Sequence, residues 1–346
     1  MDSVARIRRT IAFQACDRPP VIAQVFAHAA LACGRSVDAY VASGAIAAAC
    51  QLEARARYGY DAVFAVLDLT LEAEAAGGEV QSRRGLYPAV ARPPCAPDDD
   101  FGRLTIPDPR TAGRLPMALE MATCLRDACG DEALVVGLVQ GPMTLAVQFL
   151  GIEKALFLAA DDPDRFLQLL DYAAAVGKAF GLAQLAAGAH LVLVFEPAAC
   201  PEVVPPGLFR EMIGPRLKWL FGAFTKAGAI GNWLHIAGKT APVLPRYAAL
   251  GADIGNFDYC VDPEALLEAL GDDSRLCLDG NIKSLSFVTD SAAEVERDAR
   301  RLLRLFDRRG GFILSSGCEI PPESQEATIA AMVRTGLAWK NGQSVV

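Results

Sequence analysis

Several signals that would place this chain in a familiar class are missing from its sequence. Its ten cysteines are scattered without a CxxC pair, which favours a reducing compartment over a disulfide scaffold. No long apolar segment follows the first arginines, so neither a secretory signal nor a membrane anchor is expected. The most apolar run, residues 179–195, is interrupted by polar residues and is too short to span a bilayer. We therefore expect a cytoplasmic protein without membrane contact.

The chain also has fewer basic than acidic side chains. The chain carries 33 Lys and Arg against 41 Asp and Glu, for a formal net charge of −8 at pH 7. This acidic balance disfavours nucleic acid as a partner. No glycine-rich phosphate loop or dinucleotide fingerprint is present either. With 52% apolar and only 21% charged residues, the composition indicates a globular protein with a large buried core.

What the chain does contain is a regular alternation of apolar, strand-like runs and helical stretches. Each run is followed by polar or glycine-rich residues, and helix start signals lie between the runs. Eight strands that alternate with helices predict an α/β protein: a single (β/α)8 TIM barrel with an N-terminal extension, formed as one domain by residues 1–346. The candidate strands are residues 20–26, 62–67, 134–139, 191–195, 230–235, 252–257, 276–278 and 312–314.

One long segment breaks this alternation after the second strand. Residues 77–111 contain six prolines and an acidic run at residues 98–100. The segment is too long for an ordinary connection, so an irregular or hairpin-bearing excursion is expected there. Long excursions at the C-terminal rim of a barrel often cover an active site.

The C-terminal ends of the strands are where a TIM barrel carries its active site. Glu196 follows strand four, His235 ends strand five and Asp258 follows strand six. Strand eight ends in two serines and a glycine before Cys318, and the Pro-Pro pair shortly after this cysteine stiffens the loop that presents its thiol. The strand ends therefore predict one catalytic cavity that contains Glu196, His235, Asp258 and Cys318.

Four short motifs at the strand ends resemble those of a known family. They are residues 141–144 (Gly-Pro-Met-Thr), 235–239 (His-Ile-Ala-Gly-Lys), 280–282 (Gly-Asn-Ile) and 317–322 (Gly-Cys-Glu-Ile-Pro-Pro). Over nearly the whole chain, residues 20–336, the sequence resembles the uroporphyrinogen decarboxylase superfamily. Within it, the chain is most similar to the cobalamin-dependent methyltransferases, which pass a methyl group from a corrinoid to a thiol or pterin. The resemblance implies methylcobalamin or a corrinoid protein as methyl donor.

The resemblance also implies a zinc site, with one ligand missing. In that family a His-x-Cys-Gly element and the cysteine of the Gly-Cys-Glu-Ile-Pro element bind zinc. His235 and Cys318 match by position, but Ala237 stands where the first cysteine is expected. Two ligands are insufficient, because zinc sites take three or four protein ligands. Glu196 on the neighbouring strand, or Cys260 one strand further on, could complete the site.

A metal-free site is the alternative that the sequence leaves open. Its acceptor would be a pterin such as tetrahydrofolate, held by the strand-end residues Asn256, Asp258 and Asn281. Strand-end Asp and Asn residues also serve simply to cap the helices that follow them. The sequence does not choose between this site and a zinc site rewired through Glu196.

Two further functions remain open at this stage. The decarboxylase branch has an arginine-rich segment near the N-terminus that holds substrate carboxylates, but residues 23–30 here contain no arginine, and the next one is Arg35. The acetate and propionate groups of uroporphyrinogen would meet an apolar wall, so decarboxylation in porphyrin biosynthesis ranks second. A non-catalytic protein that binds a corrinoid or tetrapyrrole ranks lower, because ionisable groups retained at one rim favour an enzyme.

Overall fold

The computed structural model describes residues 1–271 and 274–340. Its strands are β1 (Val21–Ile22), β2 (Ala62–Ala65), β3 (Glu79–Arg83), β4 (Leu86–Arg92), β5 (Leu134–Gln140), β6 (Leu191–Phe195), β7 (Asn232–His235), β8 (Ile254–Asn256), β9 (Cys277–Ile282) and β10 (Phe312–Ser316). Eight of them form a parallel sheet in the order β1-β10-β9-β8-β7-β6-β5-β2. The backbone N–H of Asp61 donates to the carbonyl oxygen of Val21 at 2.8 Å, which links the two edges of this sheet. The predicted (β/α)8 barrel is confirmed, and each predicted strand region contains a barrel strand. The bounds differ most at β1, which spans only two of residues 20–26, and at β9, which continues four residues beyond its predicted end at residue 278.

Helices connect the strands and cover the outside of the barrel. They are α1 (Ser3–Ile11), α2 (His28–Ala32), α3 (Val37–Val41), α4 (Gly44–Tyr58), α5 (Leu71–Ala75), α6 (Leu115–Cys129), α7 (Pro142–Leu150), α8 (Ile152–Asp161), α9 (Pro163–Ala186), α10 (Pro206–Leu208), α11 (Gly214–Lys226), α12 (Pro263–Leu270), α13 (Ser286–Thr289), α14 (Ala292–Phe306) and α15 (Glu326–Ala338). Several begin at proline, whose fixed φ suits the first helical turn. At α14, the Ser291 hydroxyl accepts from the Glu294 N–H and the Glu294 carboxylate accepts from the Ser291 N–H.

Side chains of the barrel strands are divided between two cores, because successive residues of a strand face opposite sides of the sheet. Inside the barrel, apolar residues from all eight strands, including Phe64 and Trp233, pack with Val4 and Ile7 of α1 at the N-terminal end. The alternate residues of the same strands pack against the helices in a larger outer core. This alternation decides which strand-end residues reach the interior.

The excursion after β2 contains the hairpin of β3 and β4, as expected. Most of the hairpin is exposed, and Arg92 pairs with Glu79 across it at 2.5 Å. Tyr87 is different, because its ring packs against the interior core of the barrel. The hairpin therefore covers the C-terminal end of the barrel, which we call the mouth.

Two other expectations concern the chain as a whole. Among the described helices, none has both the length and the apolar composition needed to cross a membrane; only α7 and α8 taken together meet that test, and they are bent by 109°. The assignment of residues 1–346 to one domain includes residues outside the described ranges and stays a prediction.

Candidate active site

One row of the barrel sheet carries polar side chains into the interior. Strand register aligns Gln140 with Phe195, Phe195 with His235, and Asn256 with Asp279. Each of the five lies two residues beyond an apolar residue of the interior core, so each continues the inward-facing series of its strand. Phe195 is half-buried, and the four polar members are at most 1% exposed. We call these five residues the interior row.

His235 is the polar member of the interior row whose side chain makes no hydrogen bond to the described residues. Neither ring nitrogen has a hydrogen-bond partner among residues 1–271 and 274–340. Burial lowers the pKa of His235 to about 3, so the ring is neutral at physiological pH. A neutral imidazole has one N–H donor and one nitrogen lone pair. The ring centroid of Phe195 lies 5.0 Å away. His235 can therefore offer a donor and an acceptor to a bound molecule.

Asp279 lies at the other end of the interior row, within a group of polar side chains. Its Oδ2 accepts from Asn256 Nδ2 at 3.0 Å and from Gln24 Nε2 at 3.5 Å. Burial raises the pKa of Asp279 to about 7, and the hydrogen bond from Asn256 opposes that rise. The Oδ1 atom of Asn256 has no partner among the described residues. Asp279 is thus able to hold or release a proton near neutral pH.

Glu196 does not join His235 inside the barrel. Its Oε1 accepts from the backbone N–H of Met143 at 2.7 Å, and its Oε2 accepts from that of Thr144 at 2.9 Å. These N–H groups belong to the first turn of α7, where a carboxylate is favourable. A Cβ at Gly141 would lie 2.4 Å from the Glu196 carboxyl carbon, so a glycine is needed for this approach. Burial raises the pKa of Glu196 to about 7. The predicted catalytic carboxylate therefore caps a helix on the outer side of β6.

Asp258 and Asn281, predicted to hold substrate or cofactor, lie together at the rim. Asp258 Oδ1 accepts from the backbone N–H of Cys260 at 2.9 Å, a local turn contact. Asn281 Nδ2 donates to the carbonyl oxygens of Asp258 at 3.2 Å and Val261 at 3.1 Å. The amide nitrogen of Asn281 thus fixes the loop after β8.

Cys318 reaches the same rim through Gly317. A Cβ at Gly317 would lie 3.2 Å from the backbone nitrogen of Tyr259 and 3.6 Å from the Asp258 Cα, so this glycine allows the two loops to meet. The half-buried thiol of Cys318 has its pKa raised to about 12, chiefly by burial, with the carboxylates of Glu319 and Asp258 adding to the rise. Cys318 therefore stays a thiol at neutral pH.

Glu319 connects the rim to the hairpin. The Tyr87 hydroxyl donates to Glu319 Oε1 at 2.5 Å and accepts from the backbone N–H of Ala27 at 2.8 Å. Burial raises the pKa of Glu319 to about 7, and the hydrogen bond from Tyr87 partly offsets that rise. Through this contact, β4 is fastened to the loops that follow β1 and β10.

The three predicted zinc ligands, Glu196, His235 and Cys318, are not gathered into one group. Within residues 1–271 and 274–340, no set of three or more His, Cys, Asp or Glu side chains could hold a metal ion. Both Glu196 oxygens accept hydrogen bonds from α7, so this carboxylate is already occupied. Cys260, the other candidate, is exposed. These donors do not fit a zinc ion.

Comparison with known proteins places the barrel in a family. A family model described as uroporphyrinogen decarboxylase (URO-D) matches residues 3–338. The chain belongs to the uroporphyrinogen decarboxylase family. A solved structure described as a methyltransferase from Methanosarcina mazei has the same fold, with a TM-score of 0.87 and 23% identity, and the match covers 97% of this chain and 98% of that one.

Curated relatives of this family member have two kinds of activity. The methylcobamide:CoM methyltransferase MtaA of Methanosarcina barkeri is 27% identical over 279 residues, which cover 80% of this chain and 79% of the relative. The uroporphyrinogen decarboxylase of Magnetococcus marinus is 25% identical over 287 residues, with 80% and 78% covered. The resemblance inferred from the motifs is thereby confirmed, and the family supports an enzyme.

Sequence reasoning left out Gln140, Phe195 and Asp279 of the interior row, as well as Tyr87 of the hairpin. Asp279 could have been found by counting alternate residues from Cys277 along β9, because strand geometry turns both side chains inward. Tyr87 has no such signal, because it reaches the mouth from a hairpin 232 positions away from its partner Glu319.

Proposed function

We propose that this chain transfers a methyl group from a methylated corrinoid, either methylcobalamin or a corrinoid protein, to a thiol or tetrahydrofolate acceptor. The observation that carries the proposal is His235, a neutral and fully buried imidazole at the mouth whose two nitrogens have no hydrogen-bond partner in the part of the chain that the structure describes. Unpartnered polar atoms at the C-terminal end of a TIM barrel favour substrate contact. Relatives named as methyltransferases make methyl transfer the first candidate.

The proton balance of this reaction gives His235 a role. A methylated corrinoid supplies a methyl group bonded to cobalt; the acceptor's lone pair takes the methyl group while cobalt keeps the electron pair of the broken bond. A thiol S–H or an amine N–H must lose its proton in the same exchange. The free nitrogen lone pair of His235 can take this proton. Burial alone depresses the pKa of the ring, so the negative charge of a thiolate forming on a bound thiol acceptor would raise it.

Zinc plays no part in the proposed reaction. Zinc would activate a thiol acceptor by stabilising its thiolate. The candidate ligands do not fit that role, since Glu196 is bound to α7 and the described residues contain no group of three or more possible metal ligands. The proposal therefore gives the deprotonation of the acceptor to His235.

Uroporphyrinogen decarboxylation remains the second candidate, since decarboxylases are among the relatives. The segment that would have to hold the substrate carboxylates, residues 23–30, contains no arginine and is buried. Its one ionisable side chain, His28, has its ring nitrogens 2.8 Å from the Pro322 carbonyl oxygen and 2.9 Å from the Tyr58 hydroxyl. The interior row adds a carboxyl group, Asp279, instead of a cation. A substrate with many carboxylates is disfavoured here.

The test is methylcobalamin turnover by the purified protein, followed by the change in corrinoid absorbance, with thiols and tetrahydrofolate as acceptors. We expect turnover with at least one acceptor, and a loss of about 10²–10⁴-fold in kcat for His235→Gln. Cys260→Ser, an exposed position, is the matched control and should keep the full rate. Carbon dioxide release from uroporphyrinogen without methylcobalamin turnover would reverse the ranking. Corrinoid binding without either reaction would favour a non-catalytic role.

A further inference from the structure

Within the proposed methyl transfer, we infer that the acceptor is a pterin, bound through the N–H groups of its aminopyrimidinone ring, and not an anionic thiol. This inference rests on the proposed function and concerns only the molecule that takes the methyl group. It follows from the hydrogen-bonding atoms that the interior row leaves free and from the charges around them.

Two amide side chains of the interior row have a fixed orientation. Asn256 Nδ2 donates to Asp279 Oδ2 at 3.0 Å and to the Asp279 carbonyl oxygen at 3.3 Å. Gln140 Nε2 donates to the Leu69 carbonyl oxygen at 2.6 Å and to Gln148 Oε1 at 3.1 Å. Because these acceptors hold the amide nitrogens, the amide oxygens must point elsewhere. Asn256 Oδ1 and Gln140 Oε1 are both buried without a partner among the described residues.

The free atoms of the interior row are therefore mostly acceptors. Asn256 and Gln140 each contribute an amide oxygen, Asp279 contributes its Oδ1 atom, and His235 contributes one nitrogen lone pair and one N–H. Leaving a buried acceptor without a hydrogen bond is costly, so a ligand that supplies donors gains affinity here. The ligand that fits this set is one that carries several N–H groups.

Charges near the mouth point the same way. No Lys or Arg belongs to the interior row, which itself contains the carboxyl group of Asp279, and Glu319 adds a second carboxyl group at the rim. Lys239 is 70% exposed and pairs with Glu202 at 3.2 Å, and Lys283 lies over the Tyr259 ring. A thiol with a sulfonate, such as coenzyme M, would bring a permanent negative charge among acceptors and carboxyls. Such a charge needs cationic partners when it is buried.

A pterin meets both requirements. Its aminopyrimidinone ring is neutral and presents a ring N–H beside an exocyclic amino group, which can donate to Asn256 and Gln140. The half-buried ring of Phe195 offers a flat apolar face for stacking. In the tetrahydro form, the N5 lone pair forms the bond to the methyl group, cobalt keeps the electron pair of the broken bond, and His235 takes the N5 proton. The polar members of the row are at most 1% exposed, so a ligand reaches them only when the mouth opens.

The first experiment is calorimetric titration of the whole protein with three probes: 6-methyltetrahydropterin, its 2-deamino analogue and coenzyme M. We expect the pterin to bind at least tenfold more tightly than the other two. Asn256→Leu should weaken pterin binding at least tenfold. Asn232→Leu, which removes a buried amide at the N-terminal end of β7 that is bonded to Thr225 Oγ1 and the Gly251 carbonyl oxygen, is the matched control and should not. If Asn256→Leu fails to fold, the comparison of the pterin with its 2-deamino analogue decides. Equal binding of those two, or tighter binding of coenzyme M, would overturn the inference.

Turnover separates this inference from the proposed function. Transfer of the methyl group from methylcobalamin to coenzyme M, with none to tetrahydrofolate, would leave the proposed function standing and overturn the pterin assignment. Selective pterin binding without methyl transfer to either acceptor would overturn the proposed function and keep the binding site. Transfer to tetrahydrofolate that falls at least tenfold in Asn256→Leu would support both.

Discussion

The two ends of this barrel use buried polar groups in opposite ways. At the N-terminal end, Asp61 is 2% exposed and accepts hydrogen bonds from Arg6, Arg18 and the backbone N–H of Val21, each between 2.7 and 2.9 Å. At the mouth, His235 is equally buried, and neither of its nitrogens has a partner among the described residues.

The difference separates stability from function. The buried carboxylate of Asp61 has its hydrogen bonds satisfied and holds α1 and the ends of β1 and β2 together. It therefore has little remaining capacity to accept a hydrogen bond from a ligand. A buried polar atom without a hydrogen-bond partner makes no stabilising contribution to folding. Its presence is explained when a bound ligand supplies the missing hydrogen bond. We therefore expect substitutions at the N-terminal end to change stability and substitutions at the mouth to change binding and pH dependence.

The largest expected effect is the loss of Asp61. Asp61→Ala leaves Arg6 and Arg18 without their shared partner, and breaking such a buried pair typically costs about 3–5 kcal/mol. Urea denaturation should show that loss in the free energy of unfolding. Asp17→Ala is the matched control: Asp17 also pairs with Arg6, but it is 42% exposed, so the expected loss is about 1 kcal/mol or less. Equal losses for the two variants would contradict the proposed difference between the ends.

The second effect is a pH dependence that originates at the mouth. Burial raises the pKa of Asp279 from 3.8 to about 7. Between these values the folded protein binds the proton that the unfolded chain has lost, so the contribution to stability is complete below about pH 4 and disappears as the pH rises to 7. In Asp279→Asn, the fall in unfolding free energy from pH 5 to pH 8 should therefore shrink by on the order of 3 kcal/mol. Denaturation at both pH values measures this, and an unchanged fall would show that Asp279 does not titrate in this range.

How much of the fold and of the site could be predicted from the sequence depends on whether a feature arises from neighbouring residues or from residues far apart in the chain. The apolar runs, the helix starts and the capping box at Ser291 are local patterns, and the structure has all of them. His235 and Cys318 follow from the rule that strand ends form the active site, and both lie at the same end of the barrel. Glu196 obeys the same rule but faces outward, because β6 keeps its alternation to Phe195 and then turns. Predicting that would have needed the position of α7.

The third prediction tests the placement of Glu196. Glu196→Ala leaves the N–H groups of Met143 and Thr144 without their acceptors at the start of α7, which should cost about 2 kcal/mol of unfolding free energy. Because the carboxylate faces away from the interior row, methylcobalamin turnover per folded molecule should stay within about twofold of the original. A loss of turnover with unchanged stability would return Glu196 to the catalytic role that the sequence predicted.

The smallest expected effect is at the hairpin, where the Tyr87 hydroxyl is hydrogen-bonded to Glu319 at the mouth. Tyr87→Phe keeps the ring packed at the mouth but removes the hydroxyl that donates to Glu319 and accepts from the Ala27 N–H. The loss of about 1 kcal/mol should make opening of the mouth about fivefold more frequent. Alkylation of Cys318, followed by peptide mass spectrometry, should then become about fivefold faster, while the exposed Cys260 should react at its original rate. If Cys318 reacts no faster than before, the contact between Tyr87 and Glu319 does not control access to the interior row.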